Sequence, residues 1–344
     1  MRNWQRPLRY DPIPPLVSST DKALEYFVKR DLLDENVGPI DQVWQLPEAQ
    51  RMVKKQQADG SWKYPGKKTA AYPEHHYSLV ETWKQFRLLV EQYEFNKEHP
   101  ATRKASEFLF SCQTEDGDIR GMIGNQYATY YTGAIMSLLI KAGYGDDPRI
   151  EKGFRWLLSM RQNDGGWTVP LLTVGEGLTR DEMIRLTSQH AEPLEPDRSR
   201  PFSHNWTGMV LRAFAAHEGY RNSEAARTAA NLLKTRFFKE DVYSSYRDAN
   251  HWVRFQYPFW WNNLVSAIDS ISLIGLSKDD EDVQNALNWL IENQEESGLW
   301  KLSYSEIHKA VENQRTREMQ SWVSLAICRI FKRFYERDSN GLEG

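Results

Sequence analysis

The chain has 344 residues, of which 40% are hydrophobic and 12% are aromatic, so it contains enough apolar material for a sizeable core. Its 44 basic and 47 acidic residues give a formal charge of −3, and without a basic run this argues against a nucleic-acid partner. We find no signal-peptide pattern and no apolar stretch of roughly 18 residues that would span a membrane. Cys112 and Cys328 are the two cysteines, and they make no disulfide framework. We expect a cytoplasmic protein, with oligomeric state and peripheral membrane contact left open.

Two kinds of predicted helix alternate along the chain. Segments such as 149–162 are amphipathic, with Ile150, Phe154 and Leu157 on one face, which is typical of a helix with one buried face and one solvent-exposed face. Segments such as 126–143, where Lys141 is the only charge, are apolar nearly all round, and such helices are buried by their neighbours. An inner ring of apolar helices enclosed by outer helices would bury both kinds of surface.

The predicted elements form five outer–inner pairs, and residues 21–33 with 39–46 supply a sixth. In chain order the pairs are 47–57 with 74–94, 101–113 with 126–143, 149–162 with 204–219, 224–236 with 257–276, and 282–293 with 315–335. We expect a single domain over 1–344 with an N-terminal arm at 1–20 and a C-terminal tail at 338–344. The proline-rich insertion 171–200 interrupts the third unit, and such insertions are often functional, so it is a candidate lid.

A glutamine followed by a short glycine turn, in three cases closed by tryptophan, ends four of the predicted outer helices. The copies begin at Gln56, Gln113, Gln162 and Gln294. Self-similarity at a roughly fixed period indicates one supersecondary unit that is stacked repeatedly. The motif therefore predicts an architecture, and it says little about a reaction.

This recurring Gln-x(1–2)-Asp-Gly-x-Trp pattern resembles the QW repeat that triterpene cyclases and protein-prenyltransferase β subunits share, over about residues 47–335. The resemblance implies an all-α (α/α)6 toroid of about five to six helix pairs around a central apolar cavity. It also implies that the repeat glutamines and tryptophans tie outer helices together and do not take part in catalysis.

The catalytic motifs of those families are absent. No Asp-x-Asp-Asp occurs, and the nearest acidic cluster, 279–282, begins an outer helix, where carboxylates complement the helix dipole. Neither cysteine has the neighbouring aspartate of the prenyltransferase zinc site, and no Asp-Asp-x-x-Asp is present. We therefore expect no metal and no cofactor.

The predicted inner helices begin with polar and aromatic residues, which would meet at one mouth of the cavity. Helix starts also present unpaired N–H groups that suit anionic or hydroxyl-rich ligands. The alternative is that these aromatic side chains fill the centre of the ring of inner helices, and that the polar atoms cap helices. The candidate substrate-binding residues are His76, Tyr77, Gln126, Tyr127, Tyr130, His204, Trp206, Tyr257, Trp260, Trp261, Asn262, Arg315 and Glu318.

Four further residues are candidates for catalysis: Asp269, Glu81, Glu74 and His75. Asp269 and Glu81 lie on polar stripes of otherwise apolar helices, and desolvation disfavours a charged carboxylate, which makes a buried carboxyl group a usable proton donor. Asp269 is the better candidate because no charge partner lies near it in sequence. The alternative is a structural acid that is bonded to a neighbouring helix or to Arg254, Arg315 or Arg317.

Three hypotheses about function remain open, each with a small-molecule apolar or sugar ligand. The first is a terpenoid-cyclase-like or prenyl-chain-binding protein with an isoprenoid-type substrate, whose aromatic rings would stabilise carbocations. The second is a carbohydrate-active α/α toroid, either a glycoside hydrolase or a polysaccharide lyase. The third is a binding or scaffold protein that has kept the fold without the chemistry.

Overall fold

The fold is described from a computed structural model, in residues 2–174, 178–243, 246–308 and 311–336. The predicted tail at 338–344 lies outside the described residues. The described helices are α1 (Ile13–Val17), α2 (Lys22–Phe27), α3 (Asp41–Trp44), α4 (Pro47–Val53), α5 (His76–Tyr93), α6 (Pro100–Ser111), α7 (Thr129–Leu139), α8 (Pro148–Ser159), α9 (Pro170–Thr173), α10 (Arg180–Leu186), α11 (His204–Ala216), α12 (Glu224–Lys234), α13 (Leu264–Ile274), α14 (Glu281–Glu292) and α15 (Gln314–Glu336). A four-residue strand, β1 (Met122–Asn125), precedes α7.

The predicted all-α class and the outer–inner helix pairs are confirmed. Four of the five predicted inner helices begin within three residues of the expected position, and the exception is α13. The segment 257–276 was predicted as one helix, but α13 begins at Leu264. Asn263 is its N-cap: its side chain accepts the N–H of Ser266, and the Ser266 hydroxyl accepts the N–H of Asn263, both at 3.0 Å. These reciprocal bonds satisfy helix-start donors and leave 257–263 as irregular chain.

The contacts divide the chain into two compact units. Unit 2 comprises 47–229 and 241–245, and unit 1 comprises 1–46, 230–240 and 246–344. In unit 2 the buried helices α7 and α11 pack on each other, and in unit 1 α15 packs on α13 and on the N-terminal turns. The expected single domain stays a prediction.

The four glutamines that open the glycine turns all use their side-chain amides to hold backbone carbonyl groups. The amide of Gln56 donates to Gly60 in its own turn and to Ala101 at the start of the next outer helix, at 2.9 and 2.8 Å. Gln113 repeats this pattern with Gly117 and Arg149, each at 2.8 Å. Gln56 and Gln113 thus join the end of one outer helix to the beginning of the next. Gln162 donates instead to the carbonyl groups of Asp197 and Arg200, and Gln294 to that of Tyr10, so all four glutamines have a structural role.

The tryptophans of three turns make a second recurring pair of hydrogen bonds. The indole N–H of Trp62, Trp167 and Trp300 donates to a carbonyl group ten residues earlier, on Met52, Leu157 and Leu290 respectively. Their backbone N–H groups donate to hydroxyl groups on the following inner helices, those of Thr82, Thr207 and Ser324, at 2.9–3.1 Å. These bonds fix each inner helix against its outer partner.

Candidate functional site

The first group of candidate residues lies at the start of α5 in unit 2. His75 Nε2 lies 3.1 Å from the carbonyl oxygen of Arg120, and His76 Nδ1 lies 2.6 Å from that of Gly121. Because a carbonyl oxygen only accepts, these ring nitrogens donate. Burial lowers the pKa of His76, against the opposing effect of its bond to Gly121. Both histidines thus hold the loop before β1, and Glu74 beside them is exposed.

Tyr77 and Glu81 follow on the same helix, and both have local partners. The Tyr77 hydroxyl accepts the backbone N–H of Thr69 at 2.7 Å. The buried carboxylate of Glu81 accepts a hydrogen bond from Gln85 at 2.7 Å and lies 3.7 Å from the ammonium of Lys84. The three candidates on α5, which are His76, Tyr77 and Glu81, therefore all form hydrogen bonds within the protein. This favours the structural alternative for them.

Gln126 holds the 171–200 insertion through its side-chain amide. Its side chain donates to the carbonyl groups of Leu186 and Glu192, at 2.7 and 2.9 Å, and accepts the N–H of Leu194 at 2.9 Å. Asn125 adds a bond to the carbonyl group of Ala191 at 2.9 Å. Since all of these partners are backbone groups of the insertion, we assign Gln126 a tethering role and withdraw it as a ligand-binding candidate.

Tyr127, Tyr130 and Trp206 lie in two aromatic clusters of unit 2. The guanidinium group of Arg120 lies over the Tyr127 ring at 4.7 Å, and burial raises the pKa of Tyr127. The ring of Tyr130 lies 4.2 Å from that of Tyr131, and Trp206 stacks on Tyr243 with ring centroids 5.9 Å apart. The fully buried positions of Tyr130 and Trp206 are those of core residues.

His204 belongs to a buried polar cluster that is centred on Asp241. The Asp241 carboxylate accepts hydrogen bonds from the Ser203 hydroxyl and from the backbone N–H of Asn205, at 2.8 and 2.9 Å. His204 Nδ1 lies 3.5 Å from the same carboxylate oxygen. Asp241 lies where the fourth unit has lost its glycine turn, and it holds the first turn of α11. The sequence pattern gave no signal for this residue.

In unit 1 the structure provides Asp269 with the charge partner that sequence proximity did not indicate. Its carboxylate on α13 is ion-paired with the guanidinium group of Arg333 on α15. Arg333 also donates to the Ser272 hydroxyl at 2.9 Å. A carboxylate that is bonded to a neighbouring helix is the structural alternative that the sequence left open for this residue, and the contact with Arg333 favours that alternative over the proton-donor role.

Three other unit 1 candidates, Tyr257, Arg315 and Glu318, are either packed against other side chains or exposed. Tyr257 is buried and stacks on Trp322, with centroids 5.4 Å apart and planes 3° from parallel. Arg315 is exposed at the start of α15. Glu318 accepts a hydrogen bond from the Gln314 side chain at 3.0 Å, which is a bond within one helix turn.

The remaining candidates, Trp260, Trp261 and Asn262, line one pocket of about 450 Å³ in unit 1, a size within the range of ligand sites. Aromatic rings form one part of the wall: Trp261 lies 4.7 Å from Tyr246 and 6.3 Å from Trp260 between centroids. The other lining residues are His251, Arg254, Phe255, Gln256, Asn263, Leu302, Ser303, His308 and Met319. None of the described lining residues is an aspartate or a glutamate.

Backbone pairing holds the polar side of this pocket in place. Phe255 donates its N–H to the carbonyl group of Leu302 at 2.6 Å, and Tyr304 donates to that of Val253 at 3.1 Å. Arg254 and Ser303 therefore face each other across an antiparallel bridge. A short 3-10 helix, Ala249–Val253, precedes this bridge and places His251 at the wall.

The two histidines of the wall are close to each other. The ring centroids of His251 and His308 are 6.5 Å apart, and Tyr246 lies edge-on to His251 at 4.6 Å. Burial lowers the pKa of His251, the nearby Arg254 and His308 lower it further, and Asp248 opposes them. His251 is therefore more readily neutral than an ordinary histidine.

Sequence reasoning missed Tyr246, His251, Arg254 and His308 as members of one site. They lie in irregular segments, where helix periodicity carries no information. The only available signal was the departure of the fourth unit from the repeat, since 246–254 follow the lost glycine turn. Chain segments that break a repeat are places where a binding surface can be inserted.

The described part of the chain holds no group of three His, Cys, Asp or Glu side chains that could bind a metal ion. Among the described helices, none has the length and apolar character needed to cross a membrane.

A second pocket of about 570 Å³ shares Leu302 and Ser303 with the first, and is lined mainly by charged and hydroxyl residues such as Glu312 and Thr316.

Comparison with known proteins supports the resemblance that the sequence suggested. Residues 82–173 match the family model of the squalene-hopene cyclase C-terminal domain, which is roughly a quarter of the chain. The predicted resemblance to the terpenoid cyclase superfamily is thereby confirmed, through a segment that lies in unit 2. No curated protein sequence matches the chain.

Solved structures with a similar fold include proteins of several activities. A polysaccharide lyase is 13% identical, with 94% of this chain and 92% of that chain covered and a TM-score of 0.48. A protein from Actinoplanes is 15% identical, with 86% and 87% covered and a TM-score of 0.44. A type II terpene cyclase from Scytonema, in complex with merosterolic acid A, is 11% identical, with 86% and 84% covered and a TM-score of 0.38. At these TM-scores the likeness supports no assignment of substrate or reaction.

Proposed function

We propose that this terpenoid-cyclase-like chain binds an isoprenoid-type ligand in the aromatic pocket of unit 1. The observation that carries the proposal is the wall of Tyr246, Trp260 and Trp261, three half-buried rings that line one pocket of about 450 Å³. Flat rings bury a large area at little cost in conformational entropy, and their faces attract the electron-poor edges of an unsaturated chain.

The proposal is limited to binding. A cyclisation that begins with protonation of an alkene needs an acid at the substrate, and none of the described lining residues carries a carboxyl group. Asp269, the best candidate from the sequence, is paired with Arg333. We therefore assign no reaction to this pocket, and peripheral contact with a membrane stays a prediction.

Titration of the full chain with farnesol and geranylgeraniol, followed by tryptophan fluorescence and calorimetry, tests this function. We expect saturable binding that weakens about 2- to 10-fold in Trp261→Leu, because one ring contact contributes about 0.5–1.5 kcal/mol beyond burial. Tyr64→Leu is the matched control, since Tyr64 is a half-buried ring of unit 2. Absence of saturable binding, or equal weakening by the two variants, would contradict the proposal.

A carbohydrate ligand is the second candidate, and the mixed chemistry of the same pocket favours it. Tyr246, His251, Arg254 and Asn262 place phenol, imidazole, guanidinium and amide groups beside the two tryptophans. Hydrolysis by paired carboxylates does not fit this lining, so a lyase-type elimination is the carbohydrate reaction to test. The assay is absorbance of unsaturated products on incubation with acidic and neutral polysaccharides, and no turnover with any of them removes this candidate.

A further inference from the structure

We infer that Arg254, together with His251 and His308, forms a subsite for an oxyanion, a carboxylate or a phosphate, that is carried by the ligand of the unit 1 pocket. The inference rests on the binding function proposed above, because it concerns one end of the same ligand. It adds that the ligand is amphiphilic, with a part that packs on the aromatic wall and an anionic group that reaches Arg254 and the two histidines.

The first observation is the state of the Arg254 guanidinium group. It lines the pocket and is half-buried. Among the described residues it makes no ion pair and no side-chain hydrogen bond, whereas Arg149, Arg329 and Arg333 are all ion-paired. A partly desolvated guanidinium group without a counter-charge is unfavourable, and a bidentate oxyanion is the partner that its planar fork fits best.

The second observation is the sign of the charge around it. The described lining contains no aspartate or glutamate, and the two histidine rings stand 6.5 Å apart at the same wall. Among the described residues, the carboxylate that acts on His251 is that of Asp248. This carboxylate already accepts the backbone N–H of Asn250 at 2.8 Å, as the cap of the 3-10 helix. Among the described lining residues, no carboxylate would therefore compete with a bound anion for Arg254.

The third observation is that the polar side of the pocket is held in place by backbone pairing without a ligand. The backbone on both sides of Arg254 is paired with 302–304, and the amide of Asn262 lies next to the Asn263–Ser266 cap of α13, where it accepts the Ser266 hydroxyl at 3.3 Å. Preorganised donors lose little entropy on binding. Imidazole and amide N–H groups beside the guanidinium group would complete the coordination of a planar or tetrahedral oxyanion.

Calorimetry of the full chain with three matched ligands, farnesol, farnesoic acid and farnesyl monophosphate, tests the subsite. We expect one or both anionic ligands to bind about 10- to 100-fold more tightly than the alcohol, as charge-assisted hydrogen bonds allow. A comparison of the affinities for farnesoic acid and farnesyl monophosphate distinguishes a carboxylate ligand from a phosphate ligand. Arg254→Gln should remove the preference, so that the three ligands bind with affinities within about 2-fold of one another, and Arg254→Lys should keep part of the preference.

Arg227→Gln is the control, because Arg227 is exposed on α12 in unit 2 and the variant makes the same change in charge. His308→Gln, at an exposed position, provides a second variant that should reduce the preference if Arg254→Gln fails to fold. Equal affinity for all three ligands, or a preference that survives Arg254→Gln, overturns the inference.

A second matched pair, a neutral and an acidic trisaccharide, separates the two proposals. If no farnesyl ligand binds but the acidic sugar binds in an Arg254-dependent way, the isoprenoid function fails and the anion subsite stands. If farnesol binds and no anion is preferred, the subsite fails and the binding function stands. If none of the five ligands binds, both are rejected.

Discussion

Gln294→Met tests how much the glutamine–glycine turns contribute to the stability of unit 1. The Gln294 amide donates to the carbonyl groups of Tyr10 and Gly298, both at 2.9 Å, and accepts the N–H groups of Arg9 and Tyr10, both at 3.0 Å. Methionine keeps a similar length and volume, so that the loss of hydrogen bonds is separated from the formation of a cavity. The variant removes three bonds to the N-terminal segment and one bond within the last glycine turn.

The magnitude follows from the number of bonds and from their exposure. Four hydrogen bonds at about 0.5–1.5 kcal/mol each would give about 2–6 kcal/mol. Arg9 is exposed, so water replaces part of what is lost there, whereas Gln294 itself is buried. We therefore expect the free energy of unfolding to fall by about 2–4 kcal/mol.

The assay is urea unfolding followed by tryptophan fluorescence, compared at constant slope. Gln56→Met loses two bonds, to Gly60 and Ala101, and should cost about half as much as Gln294→Met. Gln314→Met is the matched control, because this glutamine is exposed and makes a single bond to Glu318. A Gln294→Met effect within about 0.5 kcal/mol of the control would refute the reasoning.

Three other predictions concern the turns, a titrating cap and the insertion. Gly60→Ala should lower the thermal midpoint more than Gly275→Ala. Both glycines have φ near +90°, but a Cβ at Gly60 would lie 2.1 Å from the Lys104 carbonyl oxygen, whereas none of the neighbouring atoms would lie within 4 Å of a Cβ at Gly275. Equal midpoints for the two variants would rule out the clash. The Nδ1 of His99 accepts the N–H of the second residue of α6, and burial lowers the pKa of this histidine. When the pH drops below the ordinary histidine pKa of 6.5, the unfolded chain therefore binds a proton more readily than the folded chain, and the free energy of unfolding falls. His99→Asn, which still caps the helix, should flatten this fall in urea titrations at pH 7.5 and 5.5, and an unchanged pH dependence would contradict the assignment. Gln126→Met should speed limited proteolysis within 178–200, mapped by mass spectrometry, and an unchanged cleavage rate would show that the tether is dispensable.

Most of the helices were predictable because their physical signals are local. The spacing of Ile150, Phe154 and Leu157 predicted a one-sided helix, and α8 buries these residues. The near absence of charge in 126–143 predicted an inner helix, and every residue of α7 is buried. The early start predicted for 257–276 was wrong because apolar composition continues through irregular chain, and only the Asn263 cap marks the beginning of α13.

The candidate site was predictable only in part. Trp260, Trp261 and Asn262 were identified because they lie near the start of the predicted inner helix 257–276, and they line the pocket. Gln126 has the same kind of sequence position, but its amide holds the insertion. Polarity at a helix start does not tell a ligand contact from a tether, because both use the same hydrogen-bonding groups.

The sequence by itself determined the all-α class, the helix pairs and the repeated turns, because helix periodicity and a glycine turn are properties of short segments. Only the tertiary structure decided which charges meet: Arg333 neutralises Asp269 from 64 residues away, while Arg254 is left facing a pocket without acidic residues among the described lining. The energy of a charge depends on its distance to other charges and on its exposure to water. Both quantities arise only when distant segments pack together.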